Sequence, residues 1–157
     1  MVSEQQRPTL IEWVSTEAAD EPLDTVHEAL ERLWVRVEPP DDSFRTLFSM
    51  AVAEVAANIL EHARPPGGNL RMELELSVWP DRLEANFRDD GRPLARRIVA
   101  RGLGANDLPE RGRGLGIALV ALDELGYDVV DGYNKWRLVK RRGDQQAFAD
   151  QPGQPVR

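Results

Sequence analysis

Apolar side chains recur along this chain with two different periods, and each change of period marks an element boundary. Between Phe44 and Leu60 the apolar positions are Phe44, Leu47, Phe48, Ala51, Val52, Val55, Ala56, Ile59 and Leu60. Steps of three and four residues put them on one stripe of an α-helix, so this segment buries one side. A second helix is predicted over Leu23 to Val37, where Val26, Leu30, Leu33, Trp34 and Val37 keep helical spacing after Asp20, Glu21 and Pro22. Pro39 and Pro40 end it, and Asp41, Asp42 and Ser43 offer N-caps to the helix that follows. The period then falls to two. Leu70, Met72, Leu74, Leu76 and Val78 alternate with Arg71, Glu73, Glu75 and Ser77. After Pro80 and Asp81, Leu83, Ala85 and Phe87 alternate with Arg82, Glu84, Asn86 and Arg88. Successive strand residues point to opposite faces, so the two segments form an antiparallel hairpin with one side buried and one in water.

Weaker signals fill in the rest. Thr9 to Ser15, rich in β-branched and aromatic residues, reads as a short strand. Arg92 to Arg111 mixes glycine, arginine and proline and is expected to hold one short helix followed by a mobile loop. Leu115 to Leu125, apolar almost all round, reads as a helix buried on most sides. Tyr127 to Val130 and Lys135 to Lys140 read as strands joined through Asp131 and Gly132, a good hairpin dipeptide. The division expected is a flexible N-terminus at 1–8, one domain at 9–142 and a disordered tail at 143–157. The fold class is α+β: a two-layer α/β sandwich with helices on one face of a mixed, mostly antiparallel sheet.

Composition narrows the chemistry. A length of 157 residues fits one domain, and a 41% hydrophobic share gives that domain a core without metal or disulfide. The absence of cysteine excludes a disulfide framework and a thiolate metal site. The polar start and the lack of any run near the ~18 apolar residues of a membrane span point to a cytoplasmic protein with no membrane partner. A net charge of −7 disfavours direct nucleic-acid binding. Arg96, Arg97, Arg101, Arg111 and Arg113 nevertheless cluster within a glycine-rich stretch, which suits a small anion.

Three constellations carry candidate chemistry. Glu54 and Asn58 are four apart on the longest helix, about 40° apart around its axis, at one edge of the apolar stripe. A carboxylate and a carboxamide there suit a hydrated Mg²⁺, although the same pair also reads as a solvated flank. Asp89, Asp90, Gly91, Arg92 and Pro93 follow a strand. A carboxylate there can accept from an exocyclic amine, with Gly91 permitting close approach of a ligand; the plain alternative is a tight Asp-Gly turn. Gly112, Arg113, Gly114, Leu115 and Gly116 open an apolar helix. Its free N–H groups and dipole favour a phosphate, to which Arg111 and Arg113 add charge, and the alternative is a glycine hinge. His62 is expected to pack at a helix end and His27 to lie on the surface. The dispersed Trp13, Trp34, Trp79 and Trp136 read as core or edge packing.

Taken together and in this order, the three motifs resemble those of the GHKL ATPase superfamily, and within it the anti-sigma-factor serine/threonine kinases. The matching segments are AVAEVAANILEHA, FRDDGRP and RGRGLGIALVALDELGY, with NKWRLVK closing the sheet. The resemblance covers roughly Leu10 to Lys140. It implies the Bergerat fold and binding of ATP with Mg²⁺: Asn58 as the Mg²⁺ ligand, Glu54 as general base and Asp89 on the adenine amine. It further implies Gly91 giving close approach, and Gly112, Gly114 and Gly116 around the phosphates under a lid from about Leu94 to Arg111. Leu115 lies inside that box. Arg111 and Arg113 are added on charge and position. The partners it implies are a sigma factor, a STAS-type anti-sigma antagonist and a second copy in a homodimer. The chain departs from the pattern at Pro93, where many members carry a glycine, and at Leu94 and Ala95, where relatives often carry Phe-Asp. A non-catalytic ATP-binding anti-sigma or regulatory module is the alternative reading. A histidine kinase catalytic domain is a poorer one, since no helix carries a phosphoacceptor histidine of the expected kind.

Overall fold

The computed structural model describes residues 7–16, 21–63, 68–94, 98–101 and 113–143. In chain order these form β1 (Leu10–Ser15), α1 (Pro22–Arg36), α2 (Asp42–His62), β2 (Met72–Val78), β3 (Arg82–Asp89), β4 (Ile98–Arg101), α3 (Arg113–Ala121), β5 (Glu124–Val130) and β6 (Tyr133–Arg141). The strands make one six-stranded sheet in the order β1-β2-β3-β6-β5-β4. Every pairing in it is antiparallel, which removes the mixed character expected of it.

Each helix is explained by its residues. Pro22 occupies the first turn of α1, where its missing N–H is no loss, and Val26, Ala29, Leu30 and Leu33 are buried at helical spacing. Asp41 caps α2, its side chain accepting from the Phe44 N–H at 2.7 Å, and the predicted stripe is buried from Phe44 to Ile59 apart from the partly buried Leu47. Trp34 meets Phe48 edge-on at 6.0 Å and donates its indole N–H to Ser49 Oγ, locking α1 to α2. The same alternation that wrote the strands sorts the sheet. Met72, Leu74, Leu76, Leu83, Ala85, Phe87, Trp136 and Leu138 join the helices in one core, while Glu73, Glu75, Arg88 and Arg137 stand on the opposite face. Asp131 and Gly132 both take positive φ, 53° and 80°, as a two-residue hairpin turn requires.

The end of the third helix also departs from expectation. The helix expected to reach Leu125 stops at Ala121, and Glu124 already belongs to β5. The Lys140 ammonium donates to the Ala121 carbonyl at 2.8 Å and supplies the positive charge that a helix C-terminus favours. Leu122 and Leu125 stay buried, but as loop and strand residues. Within the stretch expected to hold a short helix and a loop, Ile98–Arg101 forms the edge strand β4 beside β5, so part of the segment assigned to a lid is paired into the sheet; residues 95–97 and 102–112 lie outside the described residues. Most of the N-terminal segment and nearly all of the tail expected from 143 onward lie outside the described residues. No described helix is long and apolar enough to cross a membrane.

Candidate functional site

The end of β3 is pinned to the end of α2. The Arg92 N–H donates to the Ala63 carbonyl at 2.8 Å, and Asp90 exchanges hydrogen bonds with Arg71, from the Arg71 N–H to its carboxylate at 2.8 Å and from its own N–H to the Arg71 carbonyl at 3.3 Å. Between them Gly91 lies so close to α2 that a Cβ would stand 2.5 Å from the Ala63 carbonyl oxygen and 2.8 Å from Leu70 Cδ1. The close approach that this glycine permits is therefore to Ala63 and Leu70, a packing demand within the chain itself. By this contact the first two motifs meet. Asn58 and Asp89 line one small cavity with His62, Arg92, Pro93 and Leu94. The described residues enclose about 40 Å³ there, room for the edge of a ligand and well short of the roughly 300–1,000 Å³ that surrounds a whole one.

Asp89 is the chemical centre of this cavity. It is 1% exposed, and its Oδ1 accepts from the Gly91 N–H at 2.9 Å and from Asn134 Nδ2 at 2.7 Å. Its Oδ2 is buried with no partner among the described residues. An orphaned buried carboxylate oxygen is costly, which makes it a strong acceptor for a donor that a ligand brings. Burial pushes the Asp89 carboxyl above its ordinary pKa and Asp90 adds to the rise, against the hydrogen bonds from Asn134 and Gly91 that favour the ionised form. Asn134 in turn donates to the Gly91 carbonyl at 3.0 Å and accepts from the Tyr127 hydroxyl at 2.7 Å, while the Leu94 N–H donates to that hydroxyl at 2.8 Å.

Asn58 is half-buried at the cavity wall, and its carboxamide makes no hydrogen bond among the described residues. It is available to a cation or to ordered water. Glu54, one turn earlier and also half-buried, has no ion-pair partner among the described residues and does not line the cavity. Of the glycine box, Arg111 and Gly112 lie outside the described residues. Arg113, Gly114, Leu115 and Gly116 form the first turn of α3, which packs against α2. Leu115 is buried in the core, so what it can offer an anion is its backbone N–H. His62 departs from expectation: its side chain is 59% exposed, 3.8 Å from Glu61, and does not pack at the helix end. His27 is exposed as expected. Trp136 is buried and Trp34 partly so, whereas Trp13 is 58% exposed on the edge strand β1.

Sequence reasoning missed Asn134 and Tyr127. Tyr127 was assigned to a strand and to the end of the glycine-box segment, and Asn134 fell just before the strand expected from Lys135; the β3–β6 register sets Asn134 opposite Asp89, and the β5–β6 register brings Tyr127 alongside. A larger groove of about 520 Å³ lies around Asn86 on the face of the sheet opposite the described helices. It holds none of the predicted site residues; its Glu73 and Arg88 pair with each other, and its Arg137 pairs with Glu124 outside the groove.

Comparison with known families matches the histidine kinase-like ATPase domain over residues 16–140, well over half of the chain. No curated protein matches the sequence.

Proposed function

We propose that this chain, which belongs to the histidine kinase-like ATPase family, is an ATP-binding anti-sigma factor and serine/threonine protein kinase that phosphorylates a STAS-type antagonist. ATP as the ligand follows from the family; the kinase activity, the sigma factor and the antagonist rest on the resemblance in the three motifs. The observation that carries the reading is the unpaired, buried Asp89 Oδ2 in a cavity shared with Asn58. Ionised, that oxygen can only accept from a donor such as the exocyclic amine of adenine, and the carboxamide oxygen of Asn58, unpaired among the described residues, can ligate Mg²⁺.

Each residue then has a physical task. Asp89 orients the base, and Pro93 and Leu94 keep water from its edge. The first-turn N–H groups of α3, with Arg113, attract phosphate through the helix dipole and a full charge. Mg²⁺ bound at Asn58 supplies neutralisation of phosphate charge, the main requirement of phosphoryl transfer. Glu54, about 40° from Asn58 around α2, takes the proton of the acceptor hydroxyl on its carboxylate. The phosphate gained by the antagonist then disrupts its docking through repulsion and desolvation, which releases or captures the sigma factor by exchange of partners.

Transfer of labelled γ-phosphate from ATP to a purified STAS-domain antagonist tests this. Wild type is expected to label a serine or threonine, and Glu54→Gln to lose about 10²- to 10⁴-fold in rate with ATP affinity kept. Intact ATP binding with no transfer to a verified partner would leave the non-catalytic binding module in its place.

A further inference from the structure

The hydrogen bonds behind Asp89 form a chain whose direction is fixed. A backbone N–H can only donate, so the Leu94 N–H makes the Tyr127 oxygen an acceptor and leaves its hydroxyl proton for Asn134 Oδ1. The Asn134 amide is thereby oriented, with Nδ2 toward Asp89 Oδ1 and the Gly91 carbonyl. The Gly91 N–H donates to the same Oδ1. Asp89, Tyr127 and Asn134 are 1%, 2% and 3% exposed, so water does not compete for these groups. Burial also lifts the Tyr127 hydroxyl above its ordinary pKa, which keeps it a donor.

We infer that Asn134, held by Tyr127, is a positioning residue that sets base specificity: by saturating one oxygen of Asp89 it leaves a single fixed acceptor, which selects a purine with a 6-amino group over one with a 6-oxo group. The inference rests on the ATP-binding reading above. A 6-oxo purine presents an acceptor where Oδ2 needs a donor, so both lone pairs stay unsatisfied in a buried site. Without Asn134 only the Gly91 N–H holds Oδ1, so the carboxylate turns more readily about its terminal torsion and loses a hydrogen bond that favours its ionised form. Once protonated, it can donate to a 6-oxo group. Discrimination therefore depends on a residue that the base itself does not touch.

The test measures ATP and GTP affinity for wild type, Asn134→Leu and Tyr127→Phe between pH 4.5 and 8, with folding checked by circular dichroism. Asn134→Leu is expected to lower the ATP-to-GTP preference by about tenfold or more, the worth of one hydrogen bond to a charged group. The pH at which ATP binding fails should also move upward. Tyr127→Phe should shift both in the same direction by less. His62 and Arg92 line the cavity and Asp90 adjoins it, but all three are common to the variants, so the difference from wild type isolates Asp89. A preference and pH midpoint equal to wild type in folded Asn134→Leu would overturn the inference; should that variant not fold, the same equality in Tyr127→Phe does so. Wild type that binds no ATP would overturn the parent reading as well, so the two failures are distinguishable.

Discussion

Asn134 and Asp89, 45 residues apart in the chain, meet through a 2.7 Å hydrogen bond from a carboxamide nitrogen to one carboxylate oxygen. The other oxygen is left buried and unpaired among the described residues. A chain that keeps such an atom forgoes stability at that point, which is the common condition of a site made for a ligand.

The first consequence concerns pH and stability. Burial raises the Asp89 pKa in the folded chain, so the folded state holds this proton more tightly than the unfolded state does. Stability from this group is then full below the ordinary carboxylate range and falls as pH rises through the window up to the raised value. Asp89→Asn is expected to be the more stable protein in urea titrations at pH 7, with the gap closing as pH is lowered below that window. ATP binding to wild type should run the other way and fail on acidification at a higher pH than an ordinary carboxylate would give.

Glu84 behaves oppositely. Burial works against its ionisation, yet hydrogen bonds from Arg82 at 2.6 Å and Arg137 at 2.8 Å hold its carboxyl below the ordinary pKa. A depressed folded value gives stability that is present above the unfolded pKa and lost as pH falls through the folded one. Glu84→Gln is expected to lower unfolding stability by about 1–3 kcal/mol at pH 7. The deficit should vanish in strong acid, and nucleotide affinity should be unchanged, since Glu84 lies on the face of the sheet away from the cavity.

Gly91 gives a steric prediction. Gly91→Ala places a methyl 2.5 Å from the Ala63 carbonyl oxygen and 2.6 Å from Ala63 Cβ, so the β3 exit must move away from α2. A loss of about 1–3 kcal/mol is expected in denaturant titrations, together with weaker ATP binding as Asp89 is displaced. Ala63→Gly in the same chain should recover part of that loss, because it removes the methyl contact and leaves the carbonyl one.

How far the sequence foretells this site depends on the distance over which each feature is decided. The α2 stripe, the Asp41 cap and the Asp131–Gly132 turn are local, and all were legible. The end of α3 was not, because Leu122 and Leu125 continue an apolar run that fits a buried helix as well as a loop and a strand. β4 is four residues in a glycine- and arginine-rich stretch, and its pairing with β5 is what makes it a strand. Asp89 was legible as a candidate because a carboxylate beside Gly91 stands out in the text. Asn134 and Tyr127 were not, since their meaning comes from the registers of β3 with β6 and of β5 with β6. The tight packing of Gly91 on Ala63 was hidden because it joins the end of β3 to the end of α2, two segments apart in the chain.

Calorimetric titration of Mg·ATP into wild type and Asp89→Asn tests the nucleotide site most directly. The substitution keeps Oδ1 and its two hydrogen bonds and replaces only the unpaired acceptor with a donor. Wild type is expected to bind with saturation and Asp89→Asn to lose about tenfold or more in affinity. Equal affinity in the two proteins would contradict the placement of adenine at Asp89.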